Sequence, residues 1–176
     1  MKVYSTMNLS WDRPRILAAI FVAMLPAMAS AQAGTGTTTI AAINIGPDGA
    51  VHIVHSDGRE FVPPKETDQV GTSSPIVTED KRAAGWLVDY ENCCTSYPIP
   101  LKLVVYRLGK PLRRFEPGMG IFDWCFVAGG KQVAFYTDTV HSNLAPHFEL
   151  RDVESGRLVS KWDGHLNKRS RPGHGC

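Results

Sequence analysis

No stretch of this 176-residue sequence is a long hydrophobic run. The longest, Ile16–Ala29 (ILAAIFVAMLPAMA), has 14 residues, short of the roughly 20 that a transmembrane helix needs. The glycine signatures that cradle phosphates or dinucleotides are missing, which excludes those nucleotide folds. A nucleophile elbow is missing as well, because Gly71-Thr72-Ser73-Ser74-Pro75 lacks the second glycine of G-x-S-x-G. Cysteine is scarce: there are four, none in the C-x-x-C spacing that tunes a redox thiolate. No window carries the three-to-four apolar spacing of an amphipathic helix.

What is there begins with an export leader. Lys2, Arg13 and Arg15 precede the apolar run. Small residues then offer two cleavage sites, Ala29-Ser30-Ala31 before Gln32 or Ala31-Gln32-Ala33 before Gly34. Either Met1 or Met7 serves as a start, and no twin-arginine pair is present, so general secretory export into the periplasm or medium is expected. Residues 1–31 are assigned to the signal peptide and 32–39 to a Gly/Thr linker. The β-repeat domain is assigned to 40–164 and a disordered basic tail to 165–176. The whole chain carries 19 basic and 17 acidic side chains; without the leader sixteen of each remain. A mature chain of zero net charge gives nucleic acid no electrostatic footing. It also has no membrane-spanning segment once the leader is gone.

From Ile40 onward the pattern is strand and tight turn. Asp48-Gly49, Asp57-Gly58, Gly109-Lys110, Gly129-Gly130 and Ser155-Gly156 are pairs that tolerate the positive φ of hairpin turns. The runs between them, 50–55, 84–90, 101–108, 131–137 and 147–153, are rich in Val, Ile, Phe, Tyr and Trp. An all-β fold follows. The segment 73–118 also lays over 119–164, with Lys81 on Lys131, Leu108 on Val153, Phe115 on Trp162 and Gly118 on Gly164. Each copy reads strand, turn, strand, long loop, strand, turn, strand. Four antiparallel strands in about 40–50 residues is the size of a propeller blade. A partial third unit occupies about 40–72, with INIGPDGAVHIVHSDGREFV at 43–62.

On the turn Pro47-Asp48-Gly49 and the strand ending Leu150–Gly156, the chain resembles WD40-like and TolB-like propeller repeats of exported bacterial proteins. The resemblance covers roughly Ile43 to Gly164 and implies a partial or small propeller-like architecture without an activity. The Gly-His…Trp-Asp signature is missing, and Trp162-Asp163 falls at the end of a unit. The stretch NCCTSYPIP (92–100) also resembles one found in uncharacterised exported bacterial proteins. Two and a half to three units fall short of the roughly four blades that close a ring. An unclosed stack exposes faces and edges, which favours a homo-oligomer. Pro98, Pro100, Pro111 and Pro117 near strand ends blunt those edges, and the expectation leans to a monomer with an irregular small β fold.

The candidate locus is the long loop of the first full unit, Asp89–Pro100 (DYENCCTSYPIP), with its counterpart 137–146 in the next. Tyr97, Asp89 and Asp138 are the binding-loop candidates. In an oxidising compartment Cys93 or Cys94 bridging to Cys125 is the first reading of the cysteines. A strained Cys93–Cys94 ring is an alternative to that bridge. A metal site of Cys93, Cys94, His141 and His147 ranks behind both, since adjacent cysteines reach one ion poorly. His52 and His55, three apart on a strand, point to opposite faces and cannot share an ion. Asp89, Glu91, Asp123 and Asp138 are the acidic residues a glycosidase would pair. Trp86, Trp124, Tyr90 and Tyr97 are read as core. The expectation is therefore a binding or interaction module with no cofactor, engaging an unknown protein or small ligand in the envelope. An envelope hydrolase using acidic or metal-binding residues, and a structural envelope protein without ligand, are the alternatives.

Overall fold

The computed structural model describes residues 37–93, 96–139 and 146–164, and none of these is helical. The strands are β1 (Ile40–Ile45), β2 (Val51–His55), β3 (Glu60–Phe61), β4 (Gln69–Val77), β5 (Ala83–Tyr90), β6 (Ile99–Arg107), β7 (Arg113–Phe115), β8 (Gly120–Val127), β9 (Gln132–Asp138), β10 (His147–Asp152) and β11 (Leu158–Asp163). They pair into three antiparallel sheets, ordered β1-β2-β3, β4-β5-β6-β7 and β11-β10-β9-β8. Neither a closed barrel nor a closed ring of sheets forms among the described residues. The five strand runs expected from sequence fall on β2, β5, β6, β9 and β10 to within two residues at each end. The break expected between 72 and 73 falls inside β4, which belongs wholly to the middle sheet.

Burial explains the order of the layers. Ala83–Val88 of β5 and Leu103–Tyr106 of β6 are buried without interruption, the mark of strands covered on both faces. On one face Trp86, Val88, Val104 and Tyr106 pack with Ile40, Val51 and Ile53 of the first sheet. On the other, Leu87, Leu103, Val105 and Phe115 pack with Ile121, Trp124, Val133, Phe135 and Val153 of the third. Each large apolar side chain so enclosed contributes about 1.5–3 kcal/mol. The middle sheet is thus the core, and the outer two are its covers.

Two glycines make this packing feasible. A Cβ on Gly85 would stand 2.6 Å from the Trp124 ring and 3.1 Å from the Val104 carbonyl, so only glycine lets the indole close on β5. Gly49 has φ of 77° and donates its N–H to the Gly46 carbonyl at 2.9 Å, closing the turn between β1 and β2.

The covers differ. In the first sheet His52 turns away from the core to pair with Glu60 at 2.9 Å, while His55 turns inward to the Tyr106 hydroxyl at 3.2 Å. The two histidines occupy opposite faces, as strand geometry requires.

Candidate functional site

The site is built at one end of the stack. Tyr90, at the end of β5, pairs with Ile99, at the start of β6, so the loop between them leaves the middle sheet at that end. A Cβ on Gly120 would stand 2.9 Å from the Ile99 side chain. Gly120 in turn pairs with Asp138, the last residue of β9. Thr137, His147 and Asp163 lie in one cross-strand row beside it. The Asp89–Pro100 loop and the ends of β9 and β10 therefore form one rim.

Asp89 is half-buried and accepts a hydrogen bond from the Ser73 hydroxyl at 2.8 Å. Burial pushes its carboxyl above the ordinary aspartate value, and the Ser73 bond opposes this only in part. Tyr97 is 55% exposed. It is not a core residue, and the expectation that it would pack with Trp86 and Trp124 is corrected: the β5–β6 loop carries it beyond the sheet. Trp86 and Trp124 are buried as expected, at 3% and 4% exposed, and Tyr90 packs against the first-sheet cluster. Asp138 accepts from the Tyr136 hydroxyl at 3.0 Å and from the Thr139 N–H at 2.7 Å.

Strand parity sets how these groups face. Asp89 shares a face with Leu87, toward the third sheet, whereas Asp138 shares a face with Ala134 and Tyr136, away from the middle sheet. The fold does not aim these two carboxylates at one another. Asp123 lies on the Asp138 face of the third sheet, across from Tyr136.

His147 is engaged on both nitrogens. Its Nδ1 is 2.5 Å from Asp163 and its Nε2 is 3.2 Å from Glu149. Asp163, with Glu149, raises the imidazole above its ordinary value against the opposing effect of burial. Glu149 is buried at 7% exposed and also accepts from the Arg151 guanidinium at 2.5 Å. This chain of Asp163, His147, Glu149 and Arg151 was not legible in sequence. Its only signal is the alternation of His147, Glu149 and Arg151, which puts all three on one face.

Cys94 and His141 lie outside the described residues. Among the described residues no three His, Cys, Asp or Glu side chains gather as a metal site. Cys93 is exposed at the rim. Cys125 is buried on β8 at 5% exposed. The open groove between β4 and β8, lined by Thr78, Asp80, Trp124 and Phe126, runs toward the end of the stack opposite the rim. Of the candidate residues it touches only Cys125 and Asp123.

No family model matches the chain, and no curated protein matches it. Among solved structures it is similar to an acylaminoacyl peptidase from Pyrococcus horikoshii, at 9% identity and a TM-score of 0.43. That match covers 74% of this chain and 25% of the peptidase. The chain thus spans about a quarter of that protein, and a likeness of this degree carries neither fold nor chemistry across.

Proposed function

We propose that this chain is an exported, propeller-like β-repeat binding module whose rim engages a protein or small ligand of the envelope. The observation that carries this reading is Tyr97, a large aromatic side chain 55% exposed on a loop that leaves β5, a strand buried from Ala83 to Val88. Exposed aromatics on loops held by rigid strands are what binding surfaces are made of. Asp89 and Asp138 supply acceptors at the base of the same loop pair, and no cofactor is needed.

The test is co-purification from the envelope fraction of the producing cell, comparing the native chain with Tyr97→Ala and with Lys110→Ala in the turn at the far end of the middle sheet. A partner retained by Lys110→Ala and lost by Tyr97→Ala supports the reading. A partner held equally by both variants contradicts it.

Asp89 gives the hydrolase alternative its one specific support, since a carboxyl raised by burial is suited to act as a general acid. That alternative requires turnover of an envelope polymer that disappears in Asp89→Asn.

A further inference from the structure

We propose that the end of the stack opposite the rim carries a second binding site, a small cationic cavity that takes a phosphoryl dianion. Three tight turns meet there: 78–83 between β4 and β5, 107–110 after β6, and 127–131 between β8 and β9. Between them lies a cavity of about 240 Å³, lined by the cations Arg82, Arg107, Lys110 and Lys131. Asp80 is the one carboxylate in the lining.

Packing gathers these cations and holds the backbone beneath them. A Cβ on Gly130 would stand 2.8 Å from the Thr78 side chain, so the β8–β9 turn sits directly against the β4–β5 turn. The Leu108 N–H donates to the Arg82 carbonyl at 3.1 Å, and the Val153 N–H to the Lys131 carbonyl at 2.9 Å. The chain that carries the charges is thus fixed before a ligand arrives, which lowers the ordering cost of binding.

Charge sets the ligand class. Lys110 and Arg107 share one exposed carboxylate, Glu154, at 3.6 Å and 3.9 Å. Asp80 commits its Oδ1 to the Thr78 hydroxyl at 2.6 Å and the Arg82 N–H at 3.0 Å. Among the described residues no ion pair engages the Arg82 or Lys131 side chain, and the Arg82 charge acts on Asp80 only at longer range. Four cations against Asp80 and Glu154 leave two positive charges over, which matches a phosphoryl group near neutral pH. Guanidinium forks also fit phosphate oxygens bidentately. The volume lies below the roughly 300 Å³ at which sites for drug-sized molecules begin, so a small anionic group suits it.

The β8–β9 turn adds backbone to the site. Ala128, Gly129 and Gly130 all hold positive φ, at 52°, 63° and 81°. An alanine rarely adopts that conformation, and such strain gathers at ligand clamps. Gly130 and Lys131 return their N–H groups to the Val127 and Ala128 carbonyls. The Gly129 N–H makes no backbone bond among the described residues, and a Cβ there would meet nothing within 4 Å. An amide left open in a turn is a donor for an anion.

Free phosphate and a small phosphomonoester share this chemistry. The test is titration calorimetry of the mature protein at low salt with inorganic phosphate and, separately, with glycerol 3-phosphate. Saturable one-site binding is expected; phosphate alone identifies the free ion, the ester alone a phosphomonoester, and both the shared group. Arg82→Gln with Lys131→Gln is expected to weaken binding about tenfold, the scale of one lost charge-assisted contact. Lys65→Gln with Lys161→Gln removes the same charge from exposed positions outside the cavity and is expected to bind as the native chain does. No saturable binding of either ligand, or equal weakening by both double variants, overturns the proposal. Tyr97→Ala is expected to leave phosphate binding unchanged, so failure here leaves the rim reading standing, and the converse holds too.

Discussion

The Trp124 ring rests on β5 only because Gly85 has no Cβ. Gly85→Ala would force the indole or the Val104 backbone aside, and overpacking of this kind costs about 1–3 kcal/mol. Urea unfolding is expected to show the midpoint falling with an unchanged slope. Asp89 works in the opposite sense. Its folded carboxyl is raised by burial above the ordinary aspartate value, so the charged form is a cost that sets in as pH rises above that value. Asp89→Asn keeps an acceptor for Ser73 and removes that cost. It is expected to melt higher than the native chain at neutral pH while binding its partner more weakly. His147 gives the pH dependence of the rim. Its folded value is raised above 6.5, so the stabilisation from Asp163 and Glu149 is complete below about 6.5 and fades as pH climbs through the raised value. Amide exchange in β10 and β11 is expected to quicken from neutral to mildly alkaline pH, and His147→Gln to flatten that dependence.

Between elements, the packing of the β3–β4 loop on the middle sheet rests on Glu66. It accepts from Lys102 at 2.8 Å and from Arg114 at 2.6 Å, and Lys102 also reaches Glu116 at 3.0 Å. Burial alone would raise the Glu66 carboxyl, but the bonds from Lys102 and Arg114 hold it below its ordinary value. Burial alone would also lower the Lys102 ammonium, which Glu66 and Glu116 instead hold raised. Glu66→Ala is expected to cost about 1.5–3 kcal/mol, the range for hydrogen bonds to charged groups, read by calorimetry at neutral pH. Nothing in the sequence announced this contact. Glu66 lies 36 residues from Lys102 and 48 from Arg114, and no local period links residues so far apart. The strands themselves were legible because two-residue alternation and glycine turns are local. The repeat showed the four-strand unit because Phe115 and Trp162, or Gly118 and Gly164, keep the same place in it. The facing of Asp89 and Asp138 was not legible. Parity says which residues share a face, but which face of each sheet meets its neighbour is decided by the packing of the sheets, and that is not visible in one chain.

Over the whole molecule, the two end faces are chemically unlike. The first sheet presents His52, paired with Glu60, whereas the outward row of the third sheet is aromatic and acidic, with Phe148 itself only 4% exposed. A head-to-tail ring would set Glu60 against a face that carries Asp123 and Asp138, a like-charge contact that favours neither closure nor open polymerisation. Light scattering of the mature protein is expected to give a monomer. The proposed export predicts that amino-terminal sequencing of the processed protein begins at Gln32 or Gly34.

The rim is the centre of the account, and a photo-crosslinking amino acid placed at position 97 interrogates it most directly. With position 110 in the far turn as control, illumination of intact producing cells should give an adduct from 97 and none from 110. An adduct of the same mass from both positions, or from 110 alone, would contradict it.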